Sequence, residues 1–496
     1  MSGRGAGVLR CWGAGVLRCR GAAVLGALAV VTLSSGLAAQ QGPDRSKAPV
    51  PGPAPALKLP PIQKRTLSNG LLVWVVEMHE VPVANITLVV KAGASVDPVG
   101  KYGLASFAAA MLDEGAGTRN ALDLADAVEF LGASLSTGSA FDSSSVRLQT
   151  PVSKLDDALP LMADVALRPQ FNAAELERLR KERLTSLLQT RDNPGALASA
   201  AFARVVFGPR HRYGTPAMGN SASNGEMTVA DLRGFYTSWY QPQHAHLIVV
   251  GDVTAAAVLP KLEKAFGGWK NGATATKPVI ETAAQHGPRQ IYLVDKPGAA
   301  QSQIRIGWVG VPRSTADYYP LDVLNTVLGG SFTSRLNQNL REQHGYSYGA
   351  GSAFDMRLSA GPFVASAGVQ SDKTVESLQE FFKELDGIRQ PVPAAELARA
   401  KNYEALGFPS TFETTADMAG NLIQLVVYGL PESFFSEYVP KIQAVTAADV
   451  QKMAAQYIQP DRFAVVVVGD LAKIEPLIRA AKLGPVRVLT ADEVLK

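Results

Sequence analysis

Cysteine is almost absent from this chain. Cys11 and Cys19 are the only two in 496 residues, and both lie within the first 39. Beyond that point no disulfide framework, thiol nucleophile or cysteine metal site can form. Histidine is scarce as well, with six in all: His79, His211, His244, His246, His286 and His344. Only His244 and His246 are close in sequence. An i,i+2 spacing on a strand puts both on one face, and this pair reads as a strand-edge feature before a buried run rather than as metal ligands. Charge is balanced. The formal net charge is +4, and subtracting the four arginines of the first 39 residues (Arg4, Arg10, Arg18 and Arg20) leaves the remainder near zero. The chain therefore lacks the basic footprint of a nucleic-acid or membrane-surface protein. The Gly-x-Ser-x-Gly elbow, the phosphate-binding Gly-Lys-Ser/Thr loop and a Gly-x-Gly-x-x-Gly turn are also missing. Neighbouring carboxylates, Asp113-Glu114 and Asp156-Asp157, read as parts of solvated faces.

What is present begins with a leader. The four arginines, with no acid among them, precede the apolar run Ala22–Leu33 and the small residues Gly36-Leu-Ala-Ala39. That order is the charged, apolar and small-residue plan of a secretory signal peptide. It assigns residues 1–39 to export, with the bacterial periplasm as destination; a mitochondrial presequence is the rival reading. The run of roughly 12 apolar residues falls short of the ~20 that span a bilayer, so no membrane span is expected in the mature chain. Residues 40–60 form a linker rich in proline, from Pro43 and Pro49 to Pro60.

Beyond the linker the sequence repeats. Thr228-Val-Ala-Asp231, Pro242 and Gly251-Asp252 recur as Thr446-Ala-Ala-Asp449, Pro460 and Gly469-Asp470, all at an offset of 218. Gly138-Ser-Ala-Phe-Asp142 recurs as Gly351-Ser-Ala-Phe-Asp355 at an offset of 213. Self-similarity at this period implies two homologous halves, assigned to residues 61–272 and 288–490. In the first half, Leu72–Glu77, Ile86–Lys91 and Ser134–Thr150 read as strands. Leu104–Leu112, Ala121–Leu131, Lys154–Ala166 and Ala173–Gln189 read as helices, and Asp192-Asn-Pro194 ends the last of them. In the second half, Gln303–Val309, Tyr346–Asp355 and Phe363–Gln370 read as strands, with helices over Pro320–Leu328, Thr374–Leu385 and Ala394–Tyr403. Strands and helices mix without strict alternation, which predicts an α+β fold.

The stretch from Gly103-Leu-Ala-Ser106 through Phe107-Ala-Ala109-Ala110-Met111-Leu to Gly117-Thr118 resembles the zinc helix of the insulinase/pitrilysin (M16) metallopeptidases. The family frame there is Gly-Leu-Ala-His-x-x-Glu-His-Met-Leu-x-x-Gly-Thr. Ser106, Ala109 and Ala110 stand at the first His, the Glu and the second His. The third ligand of the family, a Glu, falls on Ser186, eight residues before Pro194. Zinc needs imidazole or carboxylate lone pairs, and hydrolysis needs a base on the bound water. Serine and alanine supply neither, so no cofactor is expected in this chain. Glu182 lies one helical turn from Ser186 and cannot replace three lost ligands. A serine nucleophile at Ser106 has no histidine nearby in sequence.

The resemblance covers roughly residues 61–490, with Leu67-Ser-Asn-Gly70, Pro169-Gln-Phe171 and Tyr240-Gln-Pro242 among its further points. It implies two M16-type halves, each a mainly antiparallel sheet packed with helices, forming a clam-like shell. The second half contains Gly329-Gly-Ser-Phe332 and then Leu340-Arg341 through Gly345-Tyr-Ser-Tyr348. This resembles the segment from which family members reach across to the metal-bearing domain with an Arg and a Tyr seven residues later, here Arg341 and Tyr348. A Tyr hydroxyl can donate to an oxyanion and a guanidinium can hold a carbonyl. Tyr346, two residues before Tyr348, is expected on the same strand face and competes for the assignment. Some bacterial members are heterodimers of a zinc-bearing chain and a motif-less chain that carries this pair. The resemblance therefore implies a non-zinc-binding subunit that helps position unfolded peptides, which add as a strand to a sheet edge near Gly138–Asp142. Zinc is expected in a partner subunit bearing His-x-x-Glu-His. A non-catalytic peptide-binding scaffold is the alternative.

Overall fold

Two six-stranded sheets organise the computed structural model, which describes residues 52, 57–272, 276, 279–285 and 287–496. The leader, most of the proline-rich linker and His286 lie outside the described residues. The first sheet contains β1 (Gln63–Thr66), β2 (Leu72–Glu77), β3 (Val83–Val90), β4 (Ser134–Ser139), β5 (Ser144–Pro151) and β6 (Ala245–Gly251), in the order β1-β2-β6-β3-β5-β4. The second contains β7 (Gln290–Asp295), β8 (Gln301–Val309), β9 (Ser347–Phe354), β10 (Pro362–Gln370), β11 (Ala464–Gly469) and β12 (Val486–Leu489), in the order β12-β7-β11-β8-β10-β9. Within each, one strand runs parallel to a neighbour and starts an antiparallel series: β2-β6-β3-β5-β4 matches β7-β11-β8-β10-β9. The fold is α+β and built twice. Among the described residues no helix is long and apolar enough to cross a membrane.

The repeated residues turn out to be structural punctuation. Thr228 and Thr446 each cap a helix: the hydroxyl accepts from the amide of Asp231 or Asp449, and that carboxylate accepts from the capping residue's own amide at 2.9 Å. Each arrangement satisfies two helix-end donors at once. Pro242 and Pro460 open a short 3-10 turn that feeds the buried strands β6 and β11. Gly138 and Gly351 lie in β4 and β9, the outermost strands at corresponding edges.

The halves are locked by exchanging helices. Helix Pro194–Phe207 leaves the first half and lays Leu197, Ala201, Phe202 and Val206 against Val294, Val466 and Val468 of the second sheet. Helix Thr415–Tyr428 does the reverse. Its Met418, Leu422, Leu425 and Val426 bury against Trp74, Val76, Val89, Ile248 and Val250 of the first sheet. Burying such a side chain is worth about 1.5–3 kcal/mol, so neither sheet completes its core without the other half. Both helices have clear ends. Asn193 caps the first, with Pro194 in its opening turn. Thr414 caps the second, and Gly429, at φ 64°, ends it. The stretch expected as one helix over Pro320–Leu328 is α-helical only over Tyr318–Asn325, then widens into a π-helical turn over Thr326–Gly330.

One carboxylate in the second core is held against its preference. The Asp322 carboxylate accepts from the Tyr438 hydroxyl at 2.6 Å, and that hydroxyl also lies 3.0 Å from Glu404. Burial, reinforced by the Glu404 charge, pushes Asp322 up to about 6. Between the ordinary carboxylate value and about 6 the folded chain therefore binds the extra proton, and stability falls as pH rises through that window. Asp322→Asn removes the titration. Its stability relative to the parent is expected to rise by roughly 1–3 kcal/mol between pH 4 and pH 6.5, measured by urea unfolding at each pH. A constant difference across the range would refute the assignment.

Candidate functional site

The helix at the degenerate motif is short, Leu104–Ala110, and tightly anchored. Its first amides, Gly103 and Ala105, donate to the two oxygens of Asp97 at 2.8 Å each. Asp97 in turn pairs with Arg212 at 3.2 Å, both side chains almost wholly enclosed. Arg212 also donates to the Thr215 carbonyl and stacks over Tyr102 and Phe141. The loop after Arg212 presses onto the helix start. A Cβ on Gly103 would sit 2.2 Å from the Met218 oxygen, and one on Gly219 would sit 1.9 Å from the Tyr102 oxygen. Both glycines have positive φ, at 99° and 82°, so only glycine fits this crossing.

A cation stands beside the lost ligands. Arg183, on helix Ala173–Asp192, reaches Ser106 Oγ with both terminal nitrogens, at 3.2 and 3.3 Å. Its Nε donates to Asn224 Oδ1 at 2.8 Å, and Nη2 also donates to the Met218 carbonyl at 3.1 Å. The guanidinium lies over the Phe107 ring, 4.6 Å from its centre. Burial pulls the Arg183 pKa down to about 10, with the Asp97 charge acting the other way, so the group stays cationic at neutral pH. These residues do not fit a zinc ion. Ser106, Ala109 and Ala110 offer no imidazole or carboxylate, and a fixed positive charge repels a second one. Ser186, one turn beyond Arg183, is solvent-exposed and lines a cavity of about 670 Å³. Glu182 points away into an ion pair with Arg178 at 2.7 Å.

No group of three His, Cys, Asp or Glu that could hold a metal occurs among the described residues. His244 and His246 do not share a strand face. His244 ends the 3-10 turn Pro242–His244, against Trp239, and only His246 belongs to β6, edge-on to Trp74. Burial holds His246 down at about 4, a neutral core imidazole. Asp113 and Glu114 are half-buried rather than on a solvated face. Asp113 accepts from Thr137, and Glu114 pairs with Arg178 at 2.5 Å.

In the second half, Arg341 lies in a π-helical turn, Gln338–Gln343. Its guanidinium lies over two rings, 4.8 Å from the centre of Phe332 and 4.9 Å from that of Tyr348. Its one ion pair is with the adjacent Glu342. Tyr348 is 86% exposed, and its hydroxyl has no hydrogen-bond partner among the described residues. The pair thus presents a phenol and a guanidinium together toward solvent, both free to donate to a carbonyl oxygen. Tyr346 does not compete for that surface. It precedes β9, stacks on His344 at 4.9 Å and packs against the second core.

The two outer strands differ in availability. β9 is covered at its outer side: the Ala350 amide donates to Asn337 Oδ1 at 3.2 Å, and Gly329 abuts Ser352 closely enough that a Cβ would sit 2.2 Å from its amide. On β4, backbone pairing to β5 is the whole of the ladder. Of the predicted edge Gly138–Asp142, Gly138 lies in β4, whereas Asp142 turns inward and accepts from the Leu358 amide of the other half at 3.0 Å.

Sequence reasoning missed Arg183. The signal was a cation three residues before the third-ligand position, hence on the same helix face, but it sits in the charged run Arg178 to Arg183. Arg183→Ala strands Asn224 Oδ1 and the Ser106 hydroxyl, leaving the Met218 carbonyl only its bond from Asn224 Nδ2, and should cost about 2–4 kcal/mol in chemical unfolding. Asp97→Ala leaves Arg212 buried without its partner and should cost about 3–5 kcal/mol. Losses under 1 kcal/mol in either variant would contradict these roles.

Comparison with known proteins agrees with this geometry. Residues 72–205 match the profile described as insulinase (peptidase family M16), and residues 226–404 match peptidase M16 inactive domain. An uncharacterized zinc protease of Mycobacterium tuberculosis is 26% identical over 418 residues, 84% of this chain and 94% of that one. Another, from Bacillus subtilis, is 22% identical over 407 residues, 81% of this chain and 96% of that one. A crystal structure of a peptidase M16 inactive domain from Pseudomonas fluorescens superposes with a TM-score of 0.76 at 26% identity, over 82% of this chain and 98% of that one. A protease from Helicobacter pylori shares the fold, with a TM-score of 0.77 at 22% identity over 83% of this chain and 100% of that one. With both halves matched and both sheets built to one plan, the chain belongs to the M16 (insulinase) peptidase family.

Proposed function

We propose that this chain is the non-zinc-binding subunit of an exported M16-type peptidase heterodimer, acting in the bacterial periplasm. A partner subunit bearing His-x-x-Glu-His supplies zinc, water and base. This chain supplies Arg341 and Tyr348. The observation that carries the reading is the contrast between two surfaces: Arg183 is committed to Ser106 at the degenerate motif, while the Tyr348 hydroxyl stands exposed beside the half-exposed Arg341 guanidinium, whose ion pair with Glu342 uses Nε. An aromatic that is 86% exposed and stacked on a guanidinium does little for stability; as donors to a peptide carbonyl the two groups have a purpose.

The chain's own contribution is positional. Arg341 holds a substrate carbonyl, and the Tyr348 hydroxyl donates to the oxygen as negative charge grows on it. The Phe332 ring packs on the same guanidinium, 4.8 Å away. An unfolded peptide adds as a strand to β4, whose backbone ladder among the described residues is shared only with β5. The alternative, a peptide-binding scaffold without catalysis, is separated by what these two side chains do for turnover.

The isolated chain is expected to bind no stoichiometric zinc and to cleave no peptide, by metal analysis and a fluorogenic peptide assay. Adding the zinc-bearing partner should create activity. In that complex Tyr348→Phe should lower kcat by about 10²–10³-fold, the range of one lost oxyanion donor, with assembly unchanged by size-exclusion chromatography. Full turnover in both Tyr348→Phe and Arg341→Ala complexes would leave the scaffold reading standing instead.

A further inference from the structure

Next to the Arg341–Tyr348 pair, one face of the second sheet is hollow. The cavity there measures about 510 Å³. Its floor follows from the pairing register. Ser366 on β10 is flanked by Arg305 on β8 and by Gly351 on β9. Two residues along β10, Gly368 pairs with Gln303. Alternate positions share a face, so side-chain size steps up across the strands: nothing at Gly351, nothing or a hydroxymethyl at Gly368 and Ser366, then two long polar side chains. The hollow is the volume these small residues leave. Its rim includes Phe332, the ring stacked on Arg341, so the cavity and the exposed pair share a wall.

The charge inside is one-sided. Arg305 donates to its neighbouring Ile304 carbonyl at 2.9 Å and, at a long 3.5 Å, to the Gly195 carbonyl at the start of the exchanged helix. It has no carboxylate partner among the described residues. Two other enclosed arginines of this half do, Arg335 with Glu396 at 2.7 Å and Arg357 with Asp355, while Arg313, which also lacks an ion pair, lies over the rings of Tyr318 and Phe434. Burial pulls the Arg305 pKa down and no acid lifts it. No Asp or Glu lines the cavity, and Gln303, Asn337 and Ser366 add neutral hydrogen-bonding groups. A half-enclosed guanidinium that lacks a counter-charge gains most from a carboxylate, which matches its fork with two parallel bonds.

We propose that this cavity is a subsite for a carboxylate carried by the peptide substrate, with Arg305 as its anion-binding residue beside the Arg341–Tyr348 pair. The proposal rests on the reading that extended peptides bind this chain. The carboxylate is either an acidic side chain or the peptide's own C-terminus.

The test uses the full chain and three fluorescent peptides of one unstructured sequence, followed by anisotropy. One carries an internal Glu and a C-terminal amide. The second carries Gln and the amide. The third carries Gln and a free C-terminal acid. At least one acid-bearing peptide should bind about tenfold or more tightly than the neutral one, and which one does so identifies the source. Arg305→Gln should reduce that peptide to the affinity of the neutral one and leave the neutral peptide unchanged, whereas Arg305→Lys should retain part of the preference. Equal affinities for all three peptides in the parent chain overturn the subsite but leave peptide binding intact. A uniform loss for all three in Arg305→Gln makes the residue structural and also overturns it. If none of the three binds the parent chain, the peptide-binding reading fails and the subsite fails with it.

Discussion

The exchange of helices between the sheets is the constraint on which the rest depends. Each sheet has one apolar face that its own half does not finish covering. Helix Pro194–Phe207 covers the second sheet and helix Thr415–Tyr428 covers the first. Several buried side chains on each helix commit far more free energy than a domain interface needs to stay closed. The turn after β4 adds polar contacts at the same junction, with Asp142 accepting from the Leu358 amide. The degenerate motif in one half and the Arg341–Tyr348 pair in the other are therefore parts of one body.

Loss of metal chemistry here is a rebuilt site rather than a deletion. Removing two histidines and two glutamates from a family frame would leave a polar hole. Arg183 fills that space with a charge whose three donor nitrogens all find acceptors in Ser106, Asn224 and Met218. Every nitrogen of the group thus has an acceptor, which is the condition under which buried polar groups are tolerated. Asp97 meanwhile holds the helix start in place. The frame packs the core and the crossing of Gly103 with Gly219.

Legibility in the sequence followed locality. The alternating strands and the break at Asn193-Pro194 are short-range patterns, and each was readable; Thr228 and Asp231 were legible as repeated residues, but their role as a helix cap was not. The two exchanged helices were not assigned at all, since the surface that buries them belongs to the other half and nothing nearby marks it. Tyr346 and Tyr348 looked equivalent by spacing. The strand begins only at Ser347, so the first ring packs inward and the second faces solvent. His244 and His246 looked like a face-sharing pair until a 3-10 turn took one of them off the strand.

By itself the sequence determined that the chain is a duplicated α+β protein of this family and that its own motif cannot hold zinc, because ligand chemistry is a property of residue type. It also singled out Arg341 and Tyr348. The tertiary structure decided what surrounds those residues. It brought Arg183 to Ser106 across 77 positions, covered β9 while leaving the β4 ladder shared only with β5, and set an unpaired Arg305 in a hollow beside the exposed pair. Those outcomes depend on which surfaces meet, and a linear pattern carries no record of a partner whose position is fixed by tertiary packing.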